Sequence, residues 1–375
     1  MKQLLLSLAL LEAISPLHAQ YTLSLVVLSP DTNACYIAGS FNHWNPADEA
    51  HRLHGPGNKT KTIVLKNMAA GSCQFKFTQG SWATVETDTQ GTDVANREII
   101  LSRDTSLTLT IAAWKTPSTG QPRVNTASAQ VQILDTAFYM PQLDRRRRIW
   151  IYLPSTYSQQ KDKRYPVLYM QDGQNLFNEQ TAPFGEWGVD ECLDTAQQRT
   201  GIEWIVIGID HGGDKRITEY NPYNHEQYGS GEGAQYAAFL ATTLKPYIDG
   251  KFRTLKDVRH TYIAGSSLGG LIALYAVMKY PDIFGGAGIF SPALWIAPPL
   301  HDQLAQTTWK DLHRFYFYAG GMESPHMIQD MDTVIDVIKA HQQEVFRSVD
   351  PQGQHNEKYW RQHFYAFYTW LPPSR

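Results

Sequence analysis

The stretch 262–272, YIAGSSLGGLI, narrows the possible folds more than any other part of the chain. An apolar strand pattern, HTYIA, runs into Gly265-Ser266-Ser267-Leu268-Gly269 and then into a helical pattern. This is G-x-S-x-G set between a strand and a helix, the context the motif requires. A turn that sharp exposes a hydroxyl at its apex, and flanking glycines let the backbone pass without Cβ clashes. The helix N-terminus behind it favours negative charge developing during attack on a carbonyl. Ser267 holds the central position and is the candidate nucleophile; Ser266 is the neighbouring competitor.

The surrounding pattern agrees with that element. From 127 onward, strand-like RIWIYLP, YPVLYMQ, WIVIGID, HTYIAG and FYFYAGG alternate with helical VDECLDTAQQ, AQYAAFLATTLKPYID, GGLIALYAVMKY and MIQDMDTVIDVIKAHQ. Continuous apolar strands between helices predict a mostly parallel sheet with helices on both faces over 127–375. Residues 20–114 read differently. Short β-rich runs such as LSLVVL, CYIAG, KTIVL, CQFKF, EIIL and SLTLTIAAW are separated by turn residues, which predicts a small immunoglobulin-like β-sandwich. Residues 115–126, KTPSTGQPRVNT, read as a linker. Residues 1–19 read as a signal peptide, with Lys2 at the start, an apolar run from Leu4 to Leu11 and Ala19 at the expected cut. No later run reaches the ~18 apolar residues a spanning helix needs. The expectation is an exported protein, periplasmic or secreted, without a membrane anchor.

Composition removes several classes. With 375 residues, 42% hydrophobic, and ten Trp, twenty Tyr and fifteen Phe, the chain can bury a large core and is not globally disordered. A formal net charge of −3 leaves no basic excess for phosphates, so nucleic acid is not an expected partner. The one dense basic cluster, Arg145–Arg148, is read as the solvated start of a strand. The three cysteines, Cys35, Cys73 and Cys192, form no metal-binding pattern. Cys35 and Cys73 lie on strands of one small domain; a disulfide there would close a ~38-residue loop for about 3–4 kcal/mol, and two buried thiols are the equal alternative. Cys192 falls in a helical pattern and is read as a core thiol.

A nucleophile of this kind needs a base and an acid later in the chain, in the order Ser, acid, His. Six histidines follow Ser267: His301, His313, His326, His341, His355 and His363. His355, in the polar loop DPQGQHNEKYW, is the candidate base and His326 the runner-up; His341 sits in an amphipathic helical pattern. Glu323, just past the strand RFYFYAGG, is the candidate acid; Asp330 and Asp332 fall in a helical pattern. For the oxyanion, the backbone N–H groups of Leu268 and of Gln174, in the turn Asp172-Gly173-Gln174, are the candidates. Metal and organic cofactors have no part in such chemistry.

These residues carry a resemblance. Residues ~130–372 resemble the esterase family that includes esterase D and enterochelin-esterase-like α/β hydrolases, through IWIYLP, YPVLYMQDGQNLF, EWGVDE, IVIGID, RITEYNP, IAGSSLGGLIALYA, YPDIFGGAGIFSPALW, AGGMES and GQHNEKYW. The resemblance implies an α/β-hydrolase fold and a Ser-acid-His esterase, with Ser267 and His355 on the catalytic positions. Glu323 matches a family form with Glu where other members use Asp. Residues 172–174 match the family's oxyanion loop. The family's substrates include siderophore trilactones, acetyl and feruloyl polysaccharide esters, and sugars that receive acyl groups. The N-terminal domain resembles early-set domains related to starch- and glycogen-binding modules, through YIAGSFNHWNP and CQFKFTQGSWATVE.

The resulting expectation is a serine carboxylic-ester hydrolase acting on acyl or feruloyl esters of carbohydrates, small or polymeric. The alternatives are a catecholate-trilactone siderophore esterase, an acyltransferase, and a non-catalytic glycan-binding protein. Trp187 and Trp295 are candidates to line an aromatic acyl or sugar pocket, with core packing as the other reading of each. Arg216 either meets the substrate or pairs with Glu219, the pair being favoured. Trp44 and Trp82 are the candidate glycan-stacking residues, against packing in the small domain. Oligomeric state leaves no trace in the sequence.

Overall fold

The computed structural model describes residues 19–42, 44–55, 57–116, 123–226 and 228–371, so all but the last residue of the expected signal peptide, and the middle of the expected linker, lie outside the described residues. The chain divides into two compact units, Met1–Thr119 and Gly120–Arg375.

The first unit is all-β. Its strands are β1 (Gln20–Leu28), β2 (Tyr36–Gly39), β3 (Thr60–Ala69), β4 (Gly71–Thr78), β5 (Glu86–Thr87), β6 (Arg97–Leu101), β7 (Thr105–Thr110) and β8 (Ala113–Trp114). They form sheets ordered β3-β1-β7 and β2-β4-β6, with β5-β8 as a separate ribbon. Period-two patterning explains the packing. Leu23, Leu25 and Val27 of β1 and Ile63 and Leu65 of β3 turn inward against Ile37, Phe75, Phe77 and Leu101 of the other sheet. The run SLTLTIAAW, which reads as one strand in the sequence, divides between β7 and β8 in different sheets. Cys35 and Cys73 are both buried in this core as free thiols. Burial pushes the Cys35 thiol up to about 12 and the Cys73 thiol up to about 11, so both stay protonated and inert.

The second unit is built on one eight-stranded sheet. Its strands are β9 (Val131–Met140), β10 (Arg145–Tyr152), β11 (Val167–Gln171), β12 (Ile205–Ile209), β13 (Thr261–Ser266), β14 (Gly286–Phe290), β15 (Arg314–Gly320) and β16 (Glu344–Asp350), in the order β16-β15-β14-β13-β11-β12-β10-β9. Pairings from β12 through β16 are parallel, and β10 pairs antiparallel with both β9 and β12. The helices are α1 (Val189–Thr200), α2 (Arg216–Tyr220), α3 (Gly233–Phe239), α4 (Lys245–Lys251), α5 (Leu268–Lys279), α6 (Pro299–Ala305), α7 (Met327–Ala340) and α8 (Glu357–Trp370).

Both faces of the central strands are apolar, and successive residues serve opposite faces. Val167 and Tyr169, Ile205 and Ile207, and Phe315 and Phe317 pack toward α3, α5 and α7. Leu168 and Met170, Val206, and Tyr316 and Tyr318 pack toward α1 and α8. This is the fold class the alternating strand and helix patterns predict: a mostly parallel sheet between two helical layers. The continuous helical pattern at 234–249 is interrupted, because Leu240–Leu244 widens into a π-helical turn between α3 and α4. Pro246, which has no N–H to return to the helix, follows that turn. Cys192 is half-buried and packs against the α1–α8 side of the core.

Three of the four arginines of the basic run are tied to carboxylates and only Arg146 is exposed, which corrects the sequence reading. Arg145 and Arg147 of β10 both reach Glu219 of α2, at 2.8 and 2.5 Å, and Glu219 is fully buried. Arg145 also holds Glu232 at 2.8 Å, and Arg148 holds Asp210 at 2.8 Å. The partners lie more than sixty residues away, so nothing local signals them. Breaking a buried pair from one side leaves the remaining charge unpaired. Glu219→Ala should therefore lower unfolding free energy by about 3 kcal/mol, while Glu232→Ala, at a more exposed partner, should cost less than about 1 kcal/mol. Urea denaturation of the two variants beside the parent protein measures the difference, and equal losses would contradict it.

Candidate active site

Ser267 stands where β13 becomes α5, at φ 57° and ψ −120°. That backbone conformation is strained for a residue with a side chain, and it persists because both neighbouring elements are fixed. The turn is tight: a Cβ on Gly265 would lie 2.7 Å from the Gly269 carbonyl carbon, so only glycine fits there. The Ser267 N–H donates to Phe290 O at 2.9 Å, and Ser267 O accepts from Ala293 N–H at 3.1 Å. The nucleophile candidate is thus bracketed by the segment leaving β14. Ser266, its competitor, is a buried strand residue paired opposite Phe290, whereas Ser267 is partly exposed.

Glu323 follows β15 and His355 follows β16, the next strand along. Backbone bonds lace these two loops together: Gly321 N–H to Asp350 O at 2.8 Å and Met322 N–H to Gly353 O at 2.9 Å. The His355 Nδ1 lies 2.8 Å from Glu323 Oε2. The carboxylate is almost completely buried, while the imidazole is 39% exposed. A buried carboxylate acceptor places the ring proton on Nδ1 and leaves the Nε2 lone pair available as a base. The other carboxylate oxygen, Oε1, accepts from the Gly320 N–H at 2.7 Å and from the Ser291 hydroxyl at 2.6 Å. Three donors from three segments thus surround a charge that would otherwise be costly to bury.

Ser291 is the residue sequence reasoning missed. It is fully buried at the end of β14, with φ 45°, and its hydroxyl also accepts from the Trp360 indole N–H at 2.9 Å. Trp360, from α8, in turn presents its ring to the edge of the His355 ring, 5.1 Å away at 84°. His355, Glu323, Ser291 and Trp360 therefore close a ring of contacts that fixes the imidazole. The quoted IFSPALW contains Ser291, but nothing in the spacing distinguishes it from a turn serine.

The turn proposed for the oxyanion, residues 172–174, lies at the end of β11 beside the start of α5, and Gly173–Asn175 forms a 3-10 turn. A Cβ on Gly269 would meet the Gln171 Cβ at 3.4 Å. Among the described residues, neither the Gln174 nor the Leu268 N–H donates to a protein acceptor. The Gln174 side chain accepts from the His211 N–H at 3.2 Å, and its carbonyl accepts from Thr181 Oγ1 at 2.8 Å. Gly173 is required by contact, since a Cβ there would sit 2.8 Å from Asp210 N. Burial lowers the His211 pKa, which keeps that ring neutral, and its Nδ1 accepts from the Gly213 N–H at 2.9 Å.

The peripheral candidates divide. Arg216 does not pair with Glu219, as the sequence reading favoured; it holds Asp172 at 2.9 Å and touches Ser266 O at 3.4 Å, tying the α2 end to both the 172–174 turn and the elbow. Trp187 is 1% exposed and packs between Phe290, Trp360 and Phe364, so it is core and not a pocket wall. Trp295 is 53% exposed, edge-on to His225 and Tyr228, and follows the segment that brackets Ser267. Of the alternative acids and bases, Asp332 pairs with Arg347 on the far side of α7, and His326 precedes α7. In the small unit, Trp44 and Trp82 stand together, half-buried, with ring centroids 6.2 Å apart. No helix among the described residues is long and apolar enough to cross a membrane.

Comparison with known proteins bears on the fold. Residues 141–318 match the family model Esterase, described as "Putative esterase". An uncharacterized protein of Bacillus subtilis is 26% identical over 243 residues, 60% of this chain and 92% of that protein. An alpha-amylase of Niallia circulans is 39% identical over 88 residues, 23% of this chain and 7% of that protein. An endo-1,4-beta-xylanase/feruloyl esterase of Xylanibacter ruminicola is 26% identical over 183 residues, 46% of this chain and 23% of that protein. Among solved structures, a ferulic acid esterase superposes with TM-score 0.52 at 20% identity, covering 65% of this chain and 98% of that one. The ferric enterobactin esterase of Salmonella typhimurium gives TM-score 0.54 at 16% identity, covering 94% and 93%. At those identities the structural likeness is one of fold.

The hydrogen bond from His355 to Glu323 has a direct readout. A low-field proton resonance from His355 Nδ1–H is expected in solution NMR and should vanish in Glu323→Ala; its persistence would mean that another acceptor holds the ring.

Proposed function

We propose that the α/β unit, whose residues 141–318 match the Esterase family model, acts as a serine carboxylic-ester hydrolase through Ser267, His355 and Glu323. The observation that supports this most is the buried Glu323 carboxylate, bonded to His355 at 2.8 Å and braced by Ser291 from the end of β14, the strand beside the Ser267 elbow. Ser267 Oγ attacks the ester carbonyl carbon as its proton passes to His355 Nε2. The carbonyl oxygen becomes an oxyanion held by the Gln174 and Leu268 N–H groups. Glu323 stabilises the imidazolium without taking its proton. The intermediate collapses, and the departing alkoxide takes the proton from His355. Water then gives a proton to His355 and attacks the acyl carbon; collapse returns the proton to Ser267 Oγ and frees the acid.

The substrate class we infer is acyl or feruloyl esters of carbohydrate. The feruloyl esterase relative and the ferulic acid esterase fold support the acyl side. The match to part of an alpha-amylase and the half-buried Trp44–Trp82 pair support a sugar, with the small unit as its binding module. Trp295 is the aromatic surface available to the acyl ring. The siderophore reading draws on the enterobactin esterase fold. It is weaker here because Arg216, the cation it would call on, is already paired with Asp172. With the leader expected over 1–19, the working place we infer is outside the cytoplasm.

Purified protein should release acid from methyl ferulate and acetylated xylan, and more slowly, or not at all, from a catecholate trilactone. Ser267→Ala should lower kcat by at least ~10³-fold, and Ser291→Ala, which removes one donor to Glu323, by about tenfold. Undiminished turnover in Ser267→Ala would overturn the nucleophile. A folded protein inert on the whole panel would favour acyl transfer or binding alone.

A further inference from the structure

A second set of acidic groups lies at the start of α1, away from the serine chemistry. One carboxylate oxygen from each of Glu186, Asp190 and Glu191 lies within 4.8 Å of the others. Acidic residues in the first turn of a helix suit its dipole, and that alone would account for a solvated carboxylate. It does not account for what is found here. Asp190 is 0% exposed, yet its Oδ1 is buried without any hydrogen-bond partner. The Glu191 Oε2 and the Ser128 Oγ are likewise buried and unpartnered. Ser128 is held in place by its own N–H, which donates to Asp190 Oδ2 at 2.7 Å.

The protein partners are too few for the charge present. Glu186 Oε1 accepts from Thr126 Oγ1 at 2.8 Å. Arg361 approaches Glu186 at 3.4 Å and Glu191 at 3.8 Å, both long, and its side chain is 46% exposed. Its guanidinium is confined to one side, over Gly188, where a Cβ would sit 2.3 Å from Cζ. Three carboxylates share this one guanidinium in a half-dry place, and bare buried oxygens are costly to keep there. All of the available donors to a ligand are oxygens, the set that hard divalent cations take. Two oxygens on one calcium ion stand up to about 4.6–5.2 Å apart, a span that accommodates the 4.8 Å limit here.

We propose that Glu186, Asp190 and Glu191, with Ser128 Oγ as a neutral ligand, form a structural calcium site. The ion would join the segment before β9, the 186–191 turn and the start of α1. It stands beside Trp187, whose ring packs 5.7 Å from Trp360, the residue that flanks His355. The site takes no part in the ester chemistry; it stiffens the wall behind the base.

The test uses the full purified chain, stripped with EDTA and titrated with calcium, magnesium and terbium separately. Calcium should bind by calorimetry with a Kd of about 10⁻⁵–10⁻³ M, more tightly than magnesium, and raise Tm. Terbium should give luminescence sensitised through Trp187. Glu191→Gln, at a half-exposed position where folding is secure, should weaken calcium at least ~10-fold, as should Asp190→Asn if circular dichroism shows it folded. No calcium binding up to ~10 mM would overturn the site. So would unchanged binding in Glu191→Gln, which would put the ion elsewhere.

Discussion

The site rests on the close approach of α5 to the end of β13. Gly265 and Gly269 bring strand and helix within van der Waals contact, and Ser267 takes φ 57° because the chain has no other way to turn between them. A side chain so placed points away from both elements. The same turn leaves the first N–H groups of α5 without acceptors in the helix, as every helix start does. An exposed hydroxyl and a nearby unpaired N–H at Leu268 are therefore one geometric consequence. Moving either would require the strand and helix to part, and both are buried from Thr261 to Ser266 and from Leu268 to Met278.

The remaining groups follow from parallel strand order. Neighbouring parallel strands end at one edge, so the segments after β11, β13, β14, β15 and β16 must meet there. Residues 172–174, Ser267, Ser291, Glu323 and His355 come from those five ends in turn. Burying a carboxylate at such an edge is unfavourable unless donors come with it. Glu323 receives them from its own strand end, from the β14 end and from the β16 loop, so its position is fixed by the sheet and not by its loop alone.

The sequence made legible whatever depends on local period or on a motif read in order. The central strands, both helical layers and the elbow are of that kind, and Glu323 and His355 emerged as loop residues after late strands. Long-range partners were not legible. Arg216, at the start of α2, finds Asp172, forty-four positions away, whereas Glu219 is drawn off by Arg145 and Arg147 from β10. Trp187 looks like a pocket residue only until α8 is laid against α1, when Trp360 and Phe364 enclose it. Ser291 carries no signal because its importance lies in what it touches at both ends.

The two buried carboxylate environments behind the α1–α8 side differ instructively. Glu323 is given three donors and serves as a fixed acceptor for one ring. Asp190 is at least as buried, yet has one backbone donor on one oxygen and none on the other. The fold has satisfied the first with its own hydrogen bonds, and those bonds draw on β14, β15 and β16 together. The second lies where the loop before β9 meets the start of α1, and no neighbouring strand end supplies N–H groups there. The proposed cation would balance the oxygens in that position, and Trp187 and Trp360 connect its surroundings to the imidazole by ring packing. On that proposal, a cation at the periphery and hydrogen bonds at the centre answer the same problem, according to which backbone donors the topology brings within reach.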